Sequence, residues 1–243
     1  MKVVVAGGTG QTGRLLIEAL RARGHEAVPA ARSTGVDAFT GDGLDAALAG
    51  ADVVVDVTNP VSREERATTE FFRVTSENLT AAEGRAGVRH HVVLSIVGLE
   101  RGSELPYYRA KLAQEAAVRT GGVPYTIVRA TQFFEFIPDV LIPANTDGDV
   151  VRLAPLRMQP IALSDLVGIL VEIAESAPVD GTVEVAGPEV LLLDEAGRQL
   201  AAPGQRVTSD GRPYFGADIP VDALVADPSA RLGTTTFAQW RAA

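Results

Sequence analysis

The stretch "VVVAGGTGQTGRLLIEALRARGH", residues 3–25, decides the fold. A β-branched run ends at Ala6, glycines follow at positions 7, 8, 10 and 13, and Leu15, Leu16, Ala19 and Leu20 then give one apolar helical face. The glycines read as G-x-x-G-x-x-G or as G-x-G-x-x-G. A turn with positive φ, whose amides must approach a pyrophosphate at a helix N-terminus, needs residues without a Cβ. Gly13 lets the helix lie close to the strand. Strand, glycine turn and helix in that order predict a dinucleotide-binding loop formed by Gly7, Gly8, Thr9, Gly10, Gln11, Thr12 and Gly13.

Outward from this unit, further short apolar runs occupy 26–30, 51–57, 91–97 and 124–130, with helical patterns between them. The runs at 51 and 91 are continuously apolar, as parallel strands covered on both faces are. The expected architecture is therefore α/β, a doubly wound parallel Rossmann sheet with helices on both faces. A third strand is expected just ahead of Asp42. After residue 130 the rhythm changes to "TQFFEFIPDVLIPAN", a short strand in "DVVRLAP" (149–155) and a helix in "ALSDLVGILVEIAES" (162–176). Ser164 is the expected N-cap of that helix, with Leu166, Ile169, Leu170 and Ile173 on its buried face. Residues 131–243 thus read as a small substrate lobe interwoven with a 1–130 core in a single domain. Residues 202–220, rich in Gly, Pro and polar side chains, read as a long loop with the character of a lid.

A formal net charge of -9 excludes a phosphate-backbone binder, which needs basic surface. The chain has no cysteine, so it has no disulfide framework, thiolate metal site or cysteine nucleophile. No metal is expected. The opening run before Gly7 is too short for a signal peptide or a membrane span, which points to a soluble cytoplasmic protein that engages no membrane.

The choice of dinucleotide turns on the end of the second strand, "PAARST". An acid there would hold a ribose 2′-hydroxyl, but Arg32 occupies the place, and a guanidinium suits a 2′-phosphate. Ser33 and Thr34 add hydroxyls. NADP(H) is therefore favoured over NAD(H). Asp42 is placed either to hydrogen-bond the adenine or to cap a helix. Val57, Thr58 and Asn59 end the next strand at the carboxyl edge of the sheet, where ligands bind.

With "AGGTGQTG", "VVLSIVGLE" ending a strand and "YYRAK" opening a helix, residues 1 to 175 resemble the short-chain dehydrogenase/reductase superfamily, in its atypical NmrA-like branch. The resemblance implies a seven-stranded Rossmann sheet and a Ser-Tyr-Lys catalytic set, which falls on Ser95, Tyr107 and Lys111. It also implies a relay role for Asn78. Helix geometry alone leaves two tyrosines open: Tyr107 is four residues before Lys111 and Tyr108 three, so both neighbour it, pointing about 100° apart. The family spacing Y-x-x-x-K selects Tyr107. Lys111 is conspicuous in its own right, since Lys2 is the only other lysine beside twenty arginines.

The chemistry suits these residue types. A tyrosine with pKa near 10 needs an adjacent positive charge to act as an acid/base, and a compact ammonium supplies it. Ser95 would donate to a carbonyl oxygen while Tyr107 protonates it. The sequence departs from the branch at Ala130, where a proline is usual. Phe133, Phe134 and Phe136 would line an apolar wall, which suits a small apolar or aromatic substrate. His25, His90 and His91 fall at the opposite edge of the sheet.

The expected activity is NADPH-dependent reduction of a small carbonyl or quinone. Two alternatives stand beside it: an NADP(H) sensor that regulates a protein partner without turnover, and a sugar-nucleotide epimerase or dehydratase. A homo-oligomer is compatible with any of these.

Overall fold

Parallel strands alternate with helices because each apolar run is too short and too β-branched to be anything but a buried strand. The computed structural model describes residues 1–62, 64–209, 211 and 213–243. The first half of the chain runs β1 (Lys2–Ala6), α1 (Gln11–Ala22), β2 (Glu26–Ala30), a 3-10 turn (Arg32–Thr34), α2 (Leu44–Leu48), β3 (Val53–Asp56), α3 (Glu65–Ala86), β4 (His90–Ile96), α4 (Pro106–Thr120) and β5 (Tyr125–Ala130). The second half continues with a π-helical turn (Ile137–Leu141), α5 (Ile142–Ala144), β6 (Thr146–Asp147), β7 (Val150–Arg152), β8 (Arg157–Met158), α6 (Leu163–Glu175), β9 (Gly181–Ala186), β10 (Leu191–Leu192), α7 (Leu193–Leu200), β11 (Arg206–Thr208), β12 (Arg231–Leu232) and α8 (Phe237–Ala242). No helix among the described residues is long and apolar enough to cross a membrane.

The central sheet has seven strands in the order β12-β9-β5-β4-β3-β1-β2. Strand β1 lies between β2 and β3 and is parallel to both, with Val4 opposite Val28 on one side and Val54 on the other. The chain therefore reverses its direction of travel across the sheet at β1. A crevice at the carboxyl ends of the strands is the usual consequence of such a reversal.

Two compact units share the chain. The first comprises Met1–Ser95, Arg109–Arg129 and Val167–Val183. Its core follows the period-2 alternation of strands: Val4, Ala6 and Val54 pack with Leu44, Leu48, Leu79 and Ala82 of α2 and α3. Val93 of β4 and Ile127 of β5 pack with Val118 of α4. The strand expected ahead of Asp42 is absent. Gly35, Gly41 and Gly43 all have positive φ, and Asp37 bridges to Asp42, so the segment folds into a turn and leaves β2 at the sheet edge. Pro29 within β2 agrees with an edge position, since proline lacks the donor an interior strand needs.

The second unit comprises Ile96–Tyr108, Ala130–Leu166 and Glu184–Ala243. Phe134 is fully buried against Phe237 and Trp240, at ring-centroid distances of 5.4 and 5.3 Å. Helix α6 begins at Leu163, so Ser164 sits in its first turn instead of capping it. The residue that does the anchoring is Asp165, which accepts from the Thr234 and Thr235 amides and the Thr235 hydroxyl at 2.7 to 2.9 Å. The segment 202–220, expected as an open loop, contains strand β11 pairing in parallel with β7 and the buried Tyr214. Asp210 and Arg212 of that segment lie outside the described residues.

Candidate active site

At the carboxyl end of β1 the glycines are required for identifiable reasons. Gly7 adopts φ +79°, and a Cβ there would stand 2.9 Å from the Val57 carbonyl oxygen. A Cβ on Gly8 would meet Pro29 Cα at 2.8 Å, and one on Gly13 would meet the Gly7 oxygen at 2.3 Å. Gly10 differs. Its φ of -75° suits any residue, and its nearest neighbour to an added Cβ is 3.3 Å away, yet it caps α1 with no side chain. Glycine at this exposed position leaves the first turn of α1, Gln11 to Gly13, uncapped by side chains and open to an approaching anion. That cradle fits a pyrophosphate.

The polar residues expected beside the cradle are placed differently from one another. Thr9 and Ser33 share a hydroxyl contact of 3.4 Å. Arg32 is exposed at the start of the 3-10 turn, and no ion pair engages it among the described residues. Thr34 is exposed, but its hydroxyl donates to the Ala31 carbonyl at 2.8 Å and accepts the Ala31 amide at 3.0 Å, so it stabilises the turn. Asp42 accepts from the Thr40 hydroxyl at 2.8 Å, and Gly43 is the N-cap of α2, so the capping role expected for Asp42 is not taken. The Val57 amide donates to Ala6 and the Thr58 amide to Asp56 Oδ1 at 2.9 Å. The Thr58 hydroxyl is buried and has no hydrogen-bond partner among the described residues. Asn59 is exposed on the same loop.

The residues of the expected catalytic set are placed unequally. Ser95, 3% exposed, donates its hydroxyl to Glu115 at 2.6 Å. Glu115 is also held by Arg129 through two hydrogen bonds of 2.8 and 2.7 Å. The Ser95 proton is thus committed within β4–α4 packing, and its placement does not support donation to a substrate carbonyl. Lys111, 4% exposed, donates to the Leu94 carbonyl at 2.7 Å and to Gln114 Oε1, with its ammonium 4.5 Å from the centre of the Phe72 ring. Burial pulls this ammonium down to about 8, while the charges of Asp56 and Glu115 pull it back up.

The two tyrosines differ sharply. Tyr107 is half-exposed. Tyr108 is 5% exposed, its oxygen accepts from Gln132 Nε2 at 3.2 Å, and burial pushes its phenol up. A Cβ on Gly102 would strike the Tyr108 ring at 2.8 Å, so that ring is packed against the turn before α4.

Residues 7–149 match the profile described as NAD(P)H-binding. The chain belongs to the NAD(P)H-binding family. A (4-alkanoyl-5-oxo-2,5-dihydrofuran-3-yl)methyl phosphate reductase of Streptomyces griseus is 31% identical over 238 residues, covering 91% of this chain and 78% of that protein. The fold recurs in dTDP-4-dehydrorhamnose reductase of Bacillus anthracis in complex with NADP, at a TM-score of 0.72 and 14% identity, covering 99% of this chain and 92% of the other. It recurs also in a short-chain dehydrogenase/reductase superfamily protein of Agrobacterium tumefaciens with bound NAD, at a TM-score of 0.67 and 18% identity, covering 86% and 85%.

Several polar residues of this NAD(P)H-binding protein have structural work instead. Asn78 donates to the Ala38 and Phe39 carbonyls at 3.1 and 2.8 Å, pinning the turn ahead of α2. His25 meets Glu175 at 2.8 Å, and His91 meets Glu83 at 2.8 Å with both side chains fully buried. Phe134 is core, whereas Phe133 and Phe136 are half-buried. Sequence reasoning missed Asp56, Gln114 and Glu115, all 2% exposed or less. One signal was available for Asp56: a carboxylate closing the otherwise apolar "VVVD" of β3 must be paired or hydrogen-bonded.

Proposed function

We propose that this chain is an NADPH-dependent reductase of a small carbonyl or quinone, with Tyr107 as proton donor and Lys111 as the charge that assists it. The observation that carries this reading is Lys111: the one lysine inside a chain of twenty arginines has its ammonium buried on α4, one turn from a half-exposed tyrosine. When bound, the reduced nicotinamide supplies a hydride to the substrate carbon. Tyr107 gives the carbonyl oxygen its proton, and the ammonium stabilises the phenolate left behind. Ser95 serves through Glu115 by fixing α4 against β4. Gly7 to Gly13 cradle the pyrophosphate, Arg32 and Ser33 take the 2′-phosphate, and Val57 to Asn59 border the cofactor. An alkanoyl- and oxo-bearing substrate in the name of the Streptomyces relative supports a carbonyl compound here. The protein is expected to work in the cytoplasm as one folding unit.

Tyr107→Phe should lower turnover of a ketone by about 100-fold while leaving NADPH affinity unchanged. Full turnover would sink the assignment of Tyr107. Arg32→Ala should weaken NADPH about tenfold and leave NADH unaffected, with tighter binding of NADH by the natural protein counting against the NADPH preference. The placement of Ser95 favours one competitor, a nucleotide sensor without turnover, because its hydroxyl proton is donated to Glu115. A sensor would bind NADPH and oxidise none of it across a panel of ketones and quinones.

A further inference from the structure

Beneath Lys111 lies a chain of buried hydrogen bonds with one sense of direction. The Lys111 ammonium donates to Gln114 Oε1, Gln114 Nε2 donates to Asp56 Oδ2 at 3.0 Å, and Asp56 Oδ1 accepts the Thr58 amide at 2.9 Å. Gln114 and Asp56 are both fully buried. The ends force the direction. An ammonium can only donate and a carboxylate can only accept, so the amide between them has a single satisfying orientation.

We infer that Asp56 and Gln114 are positioning residues that fix the Lys111 ammonium, supply its buried counter-charge, and tie it to the loop of Val57, Thr58 and Asn59. This rests on the reading of Lys111 given under the proposed function. Among the described residues Asp56 makes no direct ion pair, which leaves its charge to act through the amide. The other groups around the ammonium do not replace it. Glu115 also draws the Lys111 value up, but less than Asp56 does, and it is already paired with Arg129, with Ser95 as a further donor. The Phe72 ring of α3 and the Leu94 carbonyl of β4 carry no net charge. The buried Glu83–His91 pair, which also feels Asp56, is closed on itself.

Asparagine at position 56 would break the direction of the chain. Its one oxygen is needed by the Thr58 amide, so its NH2 faces Gln114, and turning Gln114 to accept would set NH2 against ammonium. With the counter-charge gone, burial acts on Lys111 unopposed by Asp56.

Because the chain has two lysines, protein labelled with 13C-lysine gives two Cε titrations, and Lys2 is an internal control. In folded Asp56→Asn the Lys111 midpoint should fall by about one pH unit or more, with Lys2 unmoved. Gln114→Met, of similar volume, should lower it in the same direction and carries the test if Asp56→Asn does not fold. A Lys111 midpoint unchanged in a folded variant overturns the relay. Turnover of Lys111→Met, measured in parallel, judges the function separately: full activity there refutes the catalytic reading, while the titration still decides the relay.

Discussion

Two of the ionic clusters buried in the first unit are built differently. At one end of β4, His91 and Glu83 meet directly at 2.8 Å with both side chains wholly inaccessible. At the other end, a neutral amide separates the Lys111 ammonium from the Asp56 carboxylate. A direct pair neutralises its charges within itself, although here His91 Nε2 finds no hydrogen-bond partner among the described residues. A spaced pair keeps its cation polarised and partly uncommitted, since an ammonium has three donors and only two are used here. Burial of charge alone therefore does not distinguish structure from chemistry; the spacing of the partners does.

The largest effect expected from breaking this contrast is on stability. Glu83→Ala should destabilise the protein by about 3–5 kcal/mol, because it strands His91 in the core. Asp56→Asn should cost less, about 1–3 kcal/mol for a charge-assisted hydrogen bond. Urea unfolding of both variants checks the order, and a larger loss in Asp56→Asn would reverse the comparison.

The adjacent histidines sharpen it next. Burial first, and then the neighbouring His91, hold His90 down to about 4, while its Nε2 shares a 2.8 Å hydrogen bond with Thr126. Its contribution to stability is full above the unfolded value near 6.5 and is lost as pH falls from there toward 4, by up to about 3 kcal/mol. Glu83 has the opposite effect on His91, raising it against burial. That contribution is full below the unfolded value and lost as pH rises through the folded one. Thermal melts against pH should accordingly lose their acid-side slope in His90→Gln and keep it in Tyr108→Phe.

Tyr108→Phe is the smallest change and belongs to neither cluster. It removes one hydrogen bond from Gln132, so a loss of about 1 kcal/mol and less than a threefold change in turnover are expected. A drop comparable to that of Tyr107→Phe would mean that the wrong tyrosine of the pair had been chosen.

How far the sequence reached can be judged from particular residues. The bounds of β2, the end of β5 and the turn at Gly7 to Gly13 were legible because strand length, β-branching and the absence of Cβ are local properties, while β5 starts at Tyr125, one residue after the expected 124. The strand expected before Asp42 does not form because Gly35, Gly41 and Gly43, all with positive φ, make the segment a turn. Ser164 had the right chemistry for a cap, two residues too late. Helix geometry left Tyr107 and Tyr108 both beside Lys111, the family spacing chose Tyr107, and only the structure shows that Tyr108 is buried.

By itself, then, the sequence determined a strand-turn-helix opening, a parallel α/β order, and a lone interior lysine set four residues after a tyrosine. These follow from steric rules acting within a few residues of chain. Only the tertiary structure decided that the Ser95 hydroxyl belongs to Glu115, that Asn78 braces a turn, and that Asp56 reaches Lys111 through Gln114. Asp56 and Gln114 are 58 residues apart in the chain and 3.0 Å apart in space, and a buried charge chooses its partner by distance and desolvation, not by order along the sequence.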